Sequence, residues 1–262
     1  MPSHQETKAQ AQARFGQHGQ GYVESHSHAA GADLERLLAR AAPQRDGLAL
    51  DIATGGGHTA LKLAPHVQQM VALDLTPKML AAARVFIAAQ GVQNVAFATG
   101  DAEQLPFRSA SFDLVTCRIA PHHFPDCFRF VQESARVLKA GGRLVLEDHL
   151  LPDDERAARY IDSFERLRDP SHFRAFADYE WQGMLLDAGL TVEQSEKQTK
   201  PGTKLLPWAA RQGCTPAVIA RLQVMLAQAP SAVADWMRPT CAGRPDASFD
   251  QHFILIAGKK EA

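Results

Sequence analysis

Three aspartates stand where short apolar strands end. Asp51 lies in Leu48-Ala49-Leu50-Asp51-Ile52, Asp74 closes Met70-Val71-Ala72-Leu73, and Asp101 follows Val95-Ala96-Phe97-Ala98-Thr99-Gly100. A carboxylate is an acceptor with several lone pairs, so acids at such places can hold a diol, an amine or a cation. Between the first two lies Gly55-Gly56-Gly57. Glycines there permit left-handed dihedrals and let a ligand lie against the backbone. Further on, His122-His123 follow one strand, and Asp148-His149 end another. Imidazoles titrate near neutral pH, so His122, His123 and His149 are candidate general bases. Packing or loop roles are the alternative for each of them.

Two ligand classes use a glycine turn between a strand and a helix. A dinucleotide places its pyrophosphate on the helix N-terminus, and Gly55-x-Gly57-x-x-Ala60 fits that fingerprint. S-adenosylmethionine carries an ammonium and a sulfonium instead. Asp51 would repel the first ligand and attract the second, so the acid favours the sulfonium cofactor. Asp74 is placed to accept from both ribose hydroxyls, and Asp101 from the adenine amine.

The elements that must hold these residues follow from periodicity. Leu48, Leu50 and Ile52 alternate as a buried strand, and Leu61 and Leu63 enter an apolar-periodic helix. Thr76 and Pro77 suit the N-cap and first position of a second helix that stops at Gly91. Strands follow over 95–98, 112–117 and 144–146, with a helix over 128–138. Upstream, Leu34, Leu37 and Leu38 mark a helix over 31–42, while residues 1 to about 14 are polar and read as frayed. Downstream, helices are expected from about 153 to before Pro170, over 178–188 and over 216–228. A sixth strand is expected over 190–198 and a last one over 249–257. The stretch 201–246 is far longer than a hairpin needs. It reads as a substrate lid, the alternatives being a packing element or a dimerisation element that would make a homodimer.

Five segments carry a family likeness: DIATGGGH from Asp51, ALDLTPKML from Ala72, GDAEQLPF from Gly100, SFDLVTCR from Ser111 and ARVLKAGGRLVLEDH from Ala135. In this order and spacing the chain resembles the class I S-adenosylmethionine-dependent methyltransferases. It is similar to the small-molecule group that includes the ubiquinone/menaquinone enzymes. One departure is Ala53, which stands at the first glycine of the family pattern. The resemblance implies an α/β fold, Rossmann-like and doubly wound, with a mostly parallel seven-stranded sheet, an antiparallel last strand and helical lid insertions. It implies an N-terminal helical lid over 1–42 and a cofactor domain over 43–262, with lid insertions at about 151–180 and 200–247. Asp51, Ala53, Gly55, Gly57, Asp74 and Leu75 would bind the cofactor. So would Met79, against adenine, with Asp101, Ala102, Cys117 and Arg118. Tyr22 would contact the methionine end. The expected reaction moves the methyl of S-adenosyl-L-methionine to a carbon or oxygen of a small hydrophobic or aromatic acceptor, leaving S-adenosyl-L-homocysteine. An NAD-type oxidoreductase and a non-catalytic binding protein are the alternatives.

Composition sets further bounds. The chain has 262 residues and a formal net charge of −1. It therefore has no basic field to collect nucleic acid. No Asn/Asp-Pro-Pro-aromatic motif follows the fourth strand either, where Cys117-Arg118-Ile119-Ala120 stands. No apolar run suggests a membrane span. Four cysteines without paired spacing, and a polar start without an apolar core, fit a cytoplasmic protein. His26 and His28 lie close together, but their spacing matches no helical pair, and no metal is expected.

Overall fold

The computed structural model describes residues 4–23 and 31–261, with 17–23 and 32 described by backbone alone. Helix α1 (His4–Val23) and α2 (Ala32–Ala41) precede β1 (Leu48–Ile52) and α3 (His58–Leu63). Next come β2 (Gln69–Asp74), α4 (Pro77–Ala89), β3 (Val95–Thr99) and β4 (Phe112–Arg118). A 3-10 turn (Pro121–His123), α5 (Cys127–Val137) and β5 (Leu138–Leu151) follow. The last part holds α6 (Glu155–Arg168), β6 (Phe176–Ala177), α7 (Asp178–Asp187), β7 (Leu190–Lys204), α8 (Leu205–Ala210), α9 (Pro216–Ala227), α10 (Ser231–Met237) and β8 (Ser248–Lys260).

The sheet order is β3-β2-β1-β4-β5-β8-β7, with the two-residue β6 beside β5. β1 pairs in parallel with β2 on one side and β4 on the other. β8 alone runs antiparallel, to both β5 and β7. The expected seven-stranded sheet is present, and β6 is a small addition to it. Strand order reverses at β1, and the crevice beyond the carboxyl ends there is where such sheets bind ligands.

Apolar clusters cover both faces of the sheet: Leu50, Ile52, Val115, Phe130 and Leu146 belong to one, and Leu37, Leu63, Met70 and Val145 to the other. The segments around 151–180 and 200–247 build a third core of their own. Its centre is Trp208, stacked on Phe164 at 5.2 Å with an interplanar angle of 11°, and closed edge-on by Phe249 at 4.9 Å. Each such ring pair adds roughly 0.5–1.5 kcal/mol beyond burial. These insertions thus hold themselves together rather than draping over the sheet. Among the described residues no single helix is long and apolar enough to cross a membrane.

Several expectations need correction. The N-terminal stretch read as frayed is helix α1. Its Lys8, Ala11, Gln12 and Phe15, spaced i, i+3, i+4 and i+7, share one helix face and line the central cavity. Thr76 occupies the N-cap position without a side-chain capping bond. β7 does not stop at Gln198 but continues to Lys204, absorbing Pro201 and Gly202 (φ 65°) at a shift in its register with β8.

Candidate active site

A cavity of about 1140 Å³ opens over the carboxyl ends of the strands. This exceeds the usual range for a single small ligand, roughly 300–1,000 Å³. At one end lie the strand-end acids. Asp51 pairs in register with Thr116 of β4. It accepts hydrogen bonds from the Thr116 hydroxyl at 2.8 Å and the Thr54 hydroxyl at 2.7 Å. Burial pushes its carboxyl up to about 6, against the pull of those hydroxyls and the Arg118 charge. Asp74 accepts the Gly55 N–H at 2.9 Å and the Thr76 N–H at 2.8 Å, one on each oxygen. A carboxylate oxygen has two acceptor positions, so each oxygen keeps capacity for a ligand hydroxyl. Asp101 accepts the Glu103 N–H at 2.9 Å and the Lys8 ammonium at 2.7 Å. Lys8 also bridges to Glu103, and the Gln12 amide donates to the Leu75 carbonyl at 2.9 Å. Helix α1 is thereby fastened across the β2–β3 rim.

Two non-glycine residues adopt left-handed backbone immediately after adjacent strands: Ala53 (φ 52°) after β1 and Ile119 (φ 52°) after β4. Both line the cavity. A β-branched residue in that region is a true outlier. Each such residue costs on the order of 1–3 kcal/mol, and strain of this kind gathers at ligand sites.

The other end is rich in imidazole. His122 Nδ1 lies 2.6 Å from Asp148 Oδ1, and Asp148 Oδ2 accepts the His122 backbone N–H at 2.7 Å. With Asp148 ionised, Nδ1 carries the proton and Nε2 keeps its lone pair. Asp148 is fully buried, and burial raises its carboxyl to about 6. His123 Nδ1 donates to the Ser171 carbonyl at 2.9 Å. His149 lies 4.6 Å from the His122 ring and 5.1 Å from Phe253. A fourth ring, His172, lies 5.2 Å from His122 and is held through Nε2 by Asp162 at 2.7 Å. Burial drives the pKa of His122, His123 and His149 down, so these rings are neutral near physiological pH. Among the described residues no cluster of His, Cys, Asp and Glu has the geometry of a metal site.

Side chains alternate along β5, so Glu147 and His149 share a face, and both line the cavity. Glu147 Oε2 is buried without a hydrogen-bond partner, as are Arg36 Nε and Gln198 Nε2. All three residues line the same cavity. Unsatisfied buried polar atoms are uncommon in folded proteins, and three around one cavity fit a site built for a polar ligand. Burial, reinforced by nearby Asp33, pushes the Glu147 carboxyl up to about 8, so it is protonated at neutral pH.

Comparison with known proteins gives this geometry a family. A profile described as a methyltransferase domain matches residues 50–146. The Bacillus subtilis protein named uncharacterized methyltransferase YcgJ is 40% identical over 203 residues, 78% of this chain and 79% of its own. The chain belongs to the class I methyltransferases. A crystal structure of a Bacillus halodurans protein assigned to the methyltransferases superposes with a TM-score of 0.85 at 38% identity, covering 88% of this chain and 100% of that one. The demethylmenaquinone methyltransferase of Thermotoga maritima is 40% identical over 118 residues, 44% of this chain and 49% of its own.

Of the residues expected to bind cofactor, Asp51, Ala53, Gly55, Asp74, Leu75, Met79, Asp101, Ala102 and Arg118 line the cavity of this methyltransferase. Two do not. Cys117 is fully buried in the sheet core. Gly57 (φ 84°) faces α4, where a Cβ would meet Ile87 Cδ1 at 2.9 Å, so its glycine serves close helix packing. Tyr22 is in α1, but its side chain lies outside the described residues, as do His26 and His28. Arg118 pairs with Asp33 of α2 and approaches the Thr59 hydroxyl at 3.3 Å. His122 and His123 are the adjacent pair among the candidate bases. Both line the cavity, because the 3-10 turn presents their rings side by side at 4.1 Å. Lys8, Gln12, Glu147, Arg168 and Gln198 escaped the sequence reading. The signal for the first two was the helical spacing from Lys8 to Phe15, which its polar members disguise.

Proposed function

We propose that this methyltransferase binds S-adenosyl-L-methionine along the Asp51–Asp74–Asp101 rim and methylates a carbon or oxygen of a small apolar or ring-containing acceptor. Asp74 carries the reading. Both its oxygens are fixed by backbone N–H groups at the cavity edge, and both retain lone pairs spaced for a vicinal diol. Met79, Leu75 and Ala102 provide an apolar slot beside it, and Asp51 provides the negative charge. When bound, S-adenosylmethionine supplies an electrophilic methyl group.

The protein's own contribution is orientation, exclusion of water and a proton acceptor. His122 Nε2, with Asp148 holding the opposite nitrogen, removes a proton from the acceptor. Burial makes it a weak base, which suits a phenol, an enol or a carbon acid already activated by a carbonyl. His123 and His149 are the other candidates, but among the described residues neither has a carboxylate within hydrogen-bond distance: His149 Nδ1 is 3.7 Å from Glu165. Helices α1 and α2 and the two insertions form a lid. Support comes from Arg14, which joins α1 to the second insertion through Gln212 Oε1 at 2.7 Å and to Asp169 at 3.2 Å. The likeness to demethylmenaquinone methyltransferase favours a ring acceptor.

Calorimetric titration with S-adenosylhomocysteine, S-adenosylmethionine, NAD and NADP tests the cofactor. Micromolar binding of the sulfur pair alone is expected. Binding of a dinucleotide in their place refutes the proposal.

A further inference from the structure

The cations around the cavity are not equivalent. Lys8 is neutralised by Asp101 and Glu103, and Arg118 by Asp33. Arg36 lies 3.9 Å from Glu196 and donates to Gln198. Arg168 and Arg211 line the same cavity, yet neither has a carboxylate within ion-pair distance among the described residues.

Arg168 is the last residue of α6. Its guanidinium lies over the Trp208 ring, 4.3 Å from the centroid, and its Nε donates to the Trp208 carbonyl at 3.2 Å. Those contacts orient it, and among the described residues neither terminal nitrogen has a protein acceptor. The neighbouring acids are committed elsewhere. Asp169 accepts the Ser171 N–H at 2.9 Å and the Ser171 hydroxyl at 2.6 Å, and faces Arg14. Glu165 lies 3.7 Å from His149 Nδ1, and it feels the Arg168 charge without reaching ion-pair distance. Arg211 caps the C-terminus of α8, and among the described residues its guanidinium donates to no protein acceptor. Partial burial and the charge of Arg168 lower its pKa, and both guanidiniums belong to the same stretch of cavity wall, on either side of Trp208. Helix C-termini favour cations, which helps explain why both sites tolerate arginine. The dipole supplies no directed acceptor for their N–H groups. Arg168 also lowers the pKa of His122 and His149, which places its charge near the proposed base. Trp208 and Phe253 form apolar wall in the same region.

Resting on the methyl-transfer reading, we propose that the acceptor is an acid: a ring or apolar body against Phe253, with a carboxylate or phosphate held by Arg168 and Arg211. A planar guanidinium pair matches such oxyanions bidentately.

The test is calorimetric, on the full chain first saturated with S-adenosylhomocysteine. The probes are 2-naphthoate, 2-naphthyl phosphate and the uncharged 2-naphthamide. At least one acid is expected to bind about ten-fold or more tightly than the amide. Arg211→Gln should weaken that acid about ten-fold and leave the amide and S-adenosylhomocysteine unchanged. Arg168→Met combined with Arg211→Gln should abolish the preference for charge. Which acid binds separates a carboxylate site from a phosphate site. Failure of both acids to bind, equal affinity for the amide, or an unchanged acid affinity in Arg211→Gln overturns the inference. Failure of S-adenosylhomocysteine to bind at the first step refutes the cofactor assignment instead.

Discussion

At the β1–β3 end of the cavity, each carboxylate takes at least one hydrogen bond from the turn that follows its own strand, beside partners from neighbouring elements such as Thr116 and Lys8. Asp74 grips Gly55 and Thr76, and Asp51 grips Thr54. At the other end, polar groups are held by partners from distant segments. His122 of the 3-10 turn meets Asp148 of β5, His123 meets the Ser171 carbonyl, and Arg168 of α6 meets Trp208 of α8. The first end is thus shaped by local turn chemistry, common to proteins that bind one cofactor. The second depends on two insertions with a core of their own, whose residues can vary without disturbing the sheet.

Substitutions can break this contrast. The largest effect is expected for Asp74→Ala. Loss of two charge-assisted hydrogen bonds, each worth about 1.5–3 kcal/mol, should weaken S-adenosylhomocysteine on the order of 1000-fold. Calorimetry would show it, and an unchanged affinity would remove the first end from cofactor binding. His122→Ala should do the converse, lowering turnover about 100-fold with S-adenosylhomocysteine affinity intact. Single-turnover rates beside binding isotherms separate the two, and a loss of affinity would mean that the two ends are not independent.

Glu147 sharpens the comparison through pH. Its folded pKa, about 8, lies above the ordinary 4.5. Between those values the native state holds a proton that the unfolded chain has released. This contribution to stability is therefore complete below about 4.5 and is lost as pH rises through 8. Relative to wild type, Glu147→Gln should gain on the order of 2 kcal/mol between pH 5 and pH 8, read from urea midpoints at the two pH values. A constant difference would mean that Glu147 is ionised in the fold. The smallest effect is expected for Ala53→Gly. Relief of the left-handed φ, offset by the greater freedom of glycine when unfolded, should stabilise the chain by less than about 1 kcal/mol. A clear loss of thermal stability would show that the methyl group packs.

How much could be read beforehand follows the same division. The strand-end aspartates, the glycine turn and the α4 start were legible because each depends on residues adjacent in the chain. Cys117 and Gly57 were assigned to the ligand because they stand in the matching segments, yet side-chain direction sends one into the sheet core and the other against Ile87. Helix α1 was missed because its cavity-facing side contains lysine and glutamine, which hydropathy reads as plain surface residues. Lys8 is paired with Asp101 and Glu103, far along the chain.

The amino-acid sequence by itself determined the order of the sheet strands and their covering helices, the strand-end aspartates and the family resemblance, since apolar periodicity and turn chemistry act over a few residues. Only the tertiary structure decided that His122 meets Asp148, that Glu147 is buried and protonated, and that Arg168 and Arg211 share one cavity without an ion-pair partner among the described residues. Those properties depend on desolvation and on charges brought together by packing, and neither exists until the sheet and its insertions have closed around the cavity.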